Sequence, residues 1–214
     1  MSRAFRTAMV AVATSLTALS ASAVTFQFEF KTYYDTTTLK RGDQVTLDQP
    51  VAVLTIADEA PGVVRFGLKF QDTDFPGGRA DGSPFIDELW LGGGKGTLNK
   101  VSGPDLSRLA GYSPAGFQGE GGQKYNWDIQ FVPSSFSEGN RATFTISGLG
   151  LTAAAFTTVV PNLQLEGVGK PYSGLFGWTP VNFVGSPVAI PEPGTYALMG
   201  LGLAGLMLVR RRKA

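Results

Sequence analysis

No histidine and no cysteine occur anywhere in the 214 residues. Their absence removes Ser–His–Asp and Cys–His nucleophilic catalysis, the usual zinc sites, haem attachment and iron–sulfur clusters. It also removes disulfides, which export to an oxidising compartment permits but does not require. The chain has no G-x-x-x-x-G-K-[ST] run and no glycine fingerprint opening a helix, so nucleotide binding has no support. Gly92-Gly93-Gly94-Lys95-Gly96 lacks the following helix whose N-terminus would hold a phosphate, and reads as a plain loop. No repeat of fixed period appears, which argues against a solenoid or propeller. Two uncharged runs dominated by small and apolar residues, one near each end of the sequence, stand apart from the body.

The first follows Arg3 and Arg6. Ala8 to Leu19 is apolar, and Ala21-Ser22-Ala23 supplies the small residues of a signal-peptidase site, so cleavage after Ala23 would leave Val24 first. The second stretches from Thr195 to Val209, with Pro191-Glu192-Pro193-Gly194 before it and Arg210, Arg211, Arg212 and Lys213 after it. Prolines stop regular structure at the front of that run. A closing basic cluster is the stop-transfer signature of a membrane helix whose C-terminus stays in the cytoplasm. Fifteen residues reach only about 22 Å against a hydrocarbon core of about 30 Å. Tyr196 and snorkelling Arg and Lys extend that reach.

The order Pro-Glu-Pro, apolar run, basic end resembles the PEP-CTERM sorting signal of Gram-negative bacteria that make extracellular polysaccharide. The resemblance covers about the last 25 residues. It implies recognition by an exosortase, a membrane protease that cuts near Pro191, Glu192 and Pro193. A Gram-positive sortase signal would need Leu-Pro-x-Thr-Gly, and a lipoprotein anchor would need cysteine. The stretch Asn126 to Phe156 more loosely resembles the bodies of other such proteins and brings no activity with it.

With both ends set aside the charge changes sign. Two cations lie in the leader and four in the tail, so the body keeps twelve Lys and Arg against sixteen Asp and Glu, about −4 rather than +1. A mildly acidic body without a basic patch offers nothing to nucleic acid. At this size a single domain can bury an adequate core unaided.

The body reads as strands. Phe26, Phe28 and Phe30 alternate with polar residues, as do Val64, Phe66, Leu68 and Phe70. Tyr125, Trp127, Ile129 and Phe131 face one way, with Asn126, Asp128 and Gln130 facing the other; Phe144 and Ile146 lie in a strand expected to partner them. Val45 to Ala57 is strand-like with a bend at Pro50, Phe85 to Leu91 is a short strand, and Asn162 to Gly167 and Ser173 to Val184 add more. Gly92 to Gly122 reads as a long Gly-rich connection with a weak strand near Thr97 to Val101. Leu151 to Thr157 is the one helix-like piece, with Thr152 as its cap. About eight short strands predict an all-β body, a two-sheet antiparallel β-sandwich or jelly roll. It is bracketed by a signal-peptide helix and a C-terminal transmembrane helix. The expected divisions are a signal peptide at 1–23, the β-sandwich body at 24–187, a linker with the Pro-Glu-Pro motif at 188–194, and the membrane helix with its basic tail at 195–214.

Three sets of side chains invite chemistry. Asp72, Asp74 and Asp81, near Asp87 and Glu88, are oxygen donors of the kind Ca²⁺ takes, though no EF-hand pattern surrounds them. Otherwise they are solvated turn carboxylates, and no other cofactor is expected. Trp90, Tyr112 and Trp178 lie in or beside Gly-rich segments and could stack on sugar rings, whereas Trp127 keeps period with core positions. Paired carboxylates could also serve glycoside hydrolysis, with nothing in the family resemblance to support it. The expectation is therefore a non-enzymatic exported protein with three partners: an exosortase, the inner membrane as a transient precursor site, and extracellular polysaccharide. It would be a structural, biofilm-associated component at the cell surface or outside the cell. The alternatives are a carbohydrate-binding module, Ca²⁺-dependent or not, and a glycoside hydrolase.

Overall fold

The computed structural model of the chain describes residues 24–34, 44–71, 84–118, 123–167 and 180–190. Eleven strands make up most of them: β1 (Thr25–Tyr34), β2 (Gln44–Thr46), β3 (Ala52–Ala60), β4 (Val63–Phe70), β5 (Phe85–Leu91), β6 (Thr97–Ser102), β7 (Gly111–Gln118), β8 (Lys124–Gln130), β9 (Arg141–Ser147), β10 (Asn162–Glu166) and β11 (Val181–Val188). All belong to one compact unit, Val24–Ile190. The body is all-β and antiparallel, as alternation predicts.

Hydrogen bonding runs unbroken through one sheet in the order β6-β9-β4-β3-β1-β11-β10-β5-β8-β7, with β2 also on β1. The expected division into two sheets is replaced by a single sheet that curls over its own core. β4 and β8 are six steps apart on this path, about 29 Å in a flat sheet at about 4.8 Å per strand. Yet Phe70 at the end of β4 and Phe131 just after β8 both pack on Phe136, with ring centroids 6.4 Å and 4.8 Å away. β6 and β7, the two ends of the path, are joined directly by residues 103–110. That connection runs along the end of β8: Ser107 N–H donates to Gln130 O and Val132 N–H to Asp105 O, both at 2.8 Å. The sheet is thus nearly closed.

Register shifts in β1, β3, β5, β6 and β7 supply the bending, because each bulge kinks its strand and raises the local twist. The inward positions are the predicted alternating ones. Phe28, Phe30, Leu54, Ile56, Phe66, Phe144, Trp127 and Ile129 all belong to one buried cluster. Phe66 lies at its centre, stacked on Phe144 at 4.9 Å and edge-on to Phe156 at 5.0 Å.

Four local expectations change. β9, which carries Phe144 and Ile146, pairs with β4 and β6 rather than with β8. Periodicity tells which face a residue takes and says nothing of which strand lies beside it. The long Gly-rich connection contains a full strand, β7, besides β6. The last strand, expected to end at Val184, runs on to Val188 and carries Pro187 opposite Phe28; β10 covers only Val181 to Val184, so no partner on that side needs the missing N–H. The helix-like piece is a 3₁₀ turn, Ala153–Phe156, in which Thr152 makes no side-chain cap; Asp58 caps it instead, accepting from Ala153 N–H at 2.7 Å.

Among the described residues no helix is long and apolar enough to cross a membrane. The predicted signal-peptide helix at 1–23 and transmembrane helix at 195–214 lie outside the described residues.

Candidate functional site on the outer face of four strands

The inside–outside alternation slips once in β5. Ile86, Leu89 and Leu91 are buried, so both Asp87 and Glu88 fit between two inward positions. Pairing with β10 shifts at the same place, with Ile86 opposite Leu165 and Glu88 opposite Gln164. This bulge turns Glu88 and Trp90 outward together.

The neighbouring strands bring polar residues to that same face. Two cross-strand rows result. One is Gln130, Glu88, Gln164 and Asn182, on β8, β5, β10 and β11 in turn; the other is Asp128, Trp90, Asn162 and Val184. Directly opposed residues have Cβ atoms about 4.5–5.5 Å apart. Most of these side chains are half-buried, Asn182 is 8% exposed and Asn162 is fully buried.

Hydrogen bonds fix part of the set. The Trp90 indole N–H donates to Glu88 Oε2 at 2.9 Å, and Gln130 Nε2 donates to Asp128 Oδ2 at 2.7 Å. Asp128 Oδ1 and both side-chain polar atoms of Asn162 are buried without a hydrogen-bond partner. Leaving such groups unpaired costs about 1–3 kcal/mol each.

Burial also crowds the carboxyls. Glu88 is pushed up to about 7, first by desolvation and then by Asp128 and Asp87, against a lowering hydrogen bond from Trp90 and with a smaller contribution from Glu166. Desolvation raises Asp128, partly offset by the hydrogen bond from Gln130 and by the nearby Trp90 N–H, with Asp87 adding to the rise. Desolvation likewise raises Asp87, and it raises Glu166 with help from Asp87. Among the described residues no three carboxylates are placed to share a metal ion. The face can donate and accept hydrogen bonds in the same small area, and Trp90 adds an apolar ring. Hydroxyl groups fit that chemistry.

Of the residues singled out in the sequence, Trp90 belongs to this face, carried by β5, the short strand expected at Phe85 to Leu91. Its ring is 5.8 Å from Phe117 and 6.0 Å from Tyr125. Tyr112 does not join it: on β7 it packs against Trp127 at 5.2 Å and against the core. Trp127 is core as expected, 1% exposed, with its N–H donating to Gly94 O at 3.0 Å. The glycine run is therefore structural. Gly93 has φ +125, and a Cβ there would lie 2.5 Å from the Phe156 ring. Asp72, Asp74, Asp81, Trp178, Ala21, Ala23, Pro191 to Pro193 and Arg210 to Lys213 lie outside the described residues.

Sequence reasoning passed over Asn162, Gln164, Glu166 and Asn182, and took Asp128 and Gln130 for an ordinary wet face. The signal was present as polar triplets at period two, Asn126-x-Asp128-x-Gln130 and Asn162-x-Gln164-x-Glu166. Only the strand order puts them either side of Glu88 and Trp90.

No curated protein and no solved structure matches the chain. Residues 189–213 match the family model of the PEP-CTERM protein-sorting motif, covering Pro191-Glu192-Pro193, the apolar run and the basic cluster as the resemblance implied. The chain thus carries a PEP-CTERM sorting motif at its C-terminal end, which implies export, processing by an exosortase and sorting to the cell surface.

Proposed function

We propose that the protein is a non-enzymatic component of the extracellular polysaccharide matrix. As a precursor it is held in the inner membrane by the run at 195–209, with Arg210 to Lys213 on the cytoplasmic side. Exosortase then cuts beside Pro191-Glu192-Pro193, and the β body stays outside, associated with polysaccharide. The observation that carries this association is the outer face of β8, β5, β10 and β11: two in-register rows of amide and carboxyl side chains around one tryptophan. Such a face exchanges hydrogen bonds with hydroxyls as well as with water, which is what attachment to a hydrated sugar polymer requires.

The test is cosedimentation of the processed protein with polysaccharide from the cells that make it. The wild type is expected in the pellet, and Gln164→Ala is expected to shift a clear fraction to the supernatant. A wild-type protein wholly in the supernatant would overturn the reading.

A second reading draws on Glu88, pushed up to about 7 by burial and by Asp128 and Asp87, so that it exchanges its proton near neutral pH. Glycoside hydrolysis uses such a pair, one acid and one ionised carboxylate. It predicts glycan turnover that disappears in Glu88→Gln, and no turnover in the wild type removes it.

A further inference from the structure

Asn162 is the least explained side chain in the body. It is fully buried, it stands between Trp90 and Val184 in the outer rows, and neither its Nδ2 nor its Oδ1 has a partner. An amide carries two donors and an acceptor. An anion would satisfy only the nitrogen and a cation only the oxygen, whereas a hydroxyl can satisfy either and a vicinal pair can satisfy both.

The surroundings narrow the ligand further. Neither row contains a lysine or arginine. Asp128 Oδ1, one strand beyond Trp90, is a second buried polar atom without a partner, and it is an acceptor. Acidic side chains without a countering cation repel carboxylated or sulfated sugars and cost a neutral sugar nothing. We propose that Asn162, Trp90, Glu88 and Asp128 form a subsite for an uncharged hydroxyl-rich sugar unit, and that uronate-containing and sulfated polymers are excluded from it. This rests on the polysaccharide reading above and names its chemistry: Asn162 meets a pair of hydroxyls, Asp128 accepts from another, and Trp90 lies against the ring.

Affinity electrophoresis of the processed protein recovered from cells tests the idea, with gels containing dextran, galactomannan or hydroxyethylcellulose as neutral polymers and polygalacturonate or heparin as acidic ones. Retardation by at least one neutral polymer and by neither acidic one is expected. Asn162→Ala should weaken that retardation at least tenfold without lowering Tm, because the amide makes no bond within the protein. Retardation by an acidic polymer, or by none of the five, overturns the subsite. So does an Asn162→Ala variant that binds normally, whose amide then serves only an internal water. Cosedimentation separates the two levels: a protein that pellets with its own matrix yet ignores every neutral polymer loses the subsite and keeps the association.

Discussion

Glu88 holds its proton up to about pH 7 because half-burial beside Asp128, Asp87 and Glu166 makes its charge costly. Its folded pKa lies above the ordinary 4.5, so folding favours the protonated form. The stabilisation is complete below about pH 4.5 and is lost as pH rises through about 7. Asp128, Asp87 and Glu166 are shifted in the same direction and add to the trend. Allowing for partial exposure, about 1–2 kcal/mol is at stake. Thermal melts should therefore show a higher Tm at pH 5 than at pH 8.5, and Glu88→Gln should flatten the difference. A Tm that rises with pH over this range would contradict the burial of these carboxyls. Asp58 offers a separate test. Its carboxylate caps Ala153 N–H at 2.7 Å across 95 residues of sequence, and Asp58→Ala should cost about 1 kcal/mol in urea unfolding. Neither role shows in the sequence: Asp58 stands in an ordinary turn motif, and Thr152, the obvious cap, is unused.

At the scale of the strand, what could be read was facing. β1, β4, β8 and β9 alternate cleanly, and their apolar residues are the ones the structure buries. What could not be read was adjacency, so the outer face of β8, β5, β10 and β11 was legible only as scattered polar triplets. β7 escaped notice for a different reason. Gly111, Ser113, Pro114 and Gly116 give it neither alternation nor β-propensity, and it sits at the end of the sheet with one partner only. Pro114 and the break in pairing between Tyr112 and Phe117 are the features that keep an edge from recruiting another chain. Turns at the other edge can be tested directly. Gly103 has φ +95, and a Cβ there would meet the Arg141 carbonyl oxygen at 2.2 Å, whereas Gly139, at φ +79, has open space around it. Gly103→Ala should cost over about 2 kcal/mol, combining backbone strain with a backbone clash, and Gly139→Ala about 1 kcal/mol from strain alone. Equal denaturation midpoints for the two variants would contradict the close approach of β6 and β9 at this turn.

For the whole molecule, a single curled sheet makes the core one body rather than two faces pressed together. Phe66 should accordingly behave as a central packing residue, and Phe66→Ala should cost about 3–5 kcal/mol in a single cooperative unfolding transition. Two separated transitions would show that the halves of the sheet fold independently. The first and last strands of this body are hydrogen-bonded neighbours, with Gln27 opposite Val188, and the sorting motif begins at residue 189. The folded cargo therefore reaches to the edge of the signal that delivers it. That signal was the most legible part of the chain, because it is written in residue order and does not depend on folding. Intact mass of the protein recovered from the cell surface and from the medium tests the delivery most directly. The account predicts a species beginning at Val24 and ending near Pro191-Glu192-Pro193, and a full-length Met1–Ala214 species confined to the cytosol would contradict it.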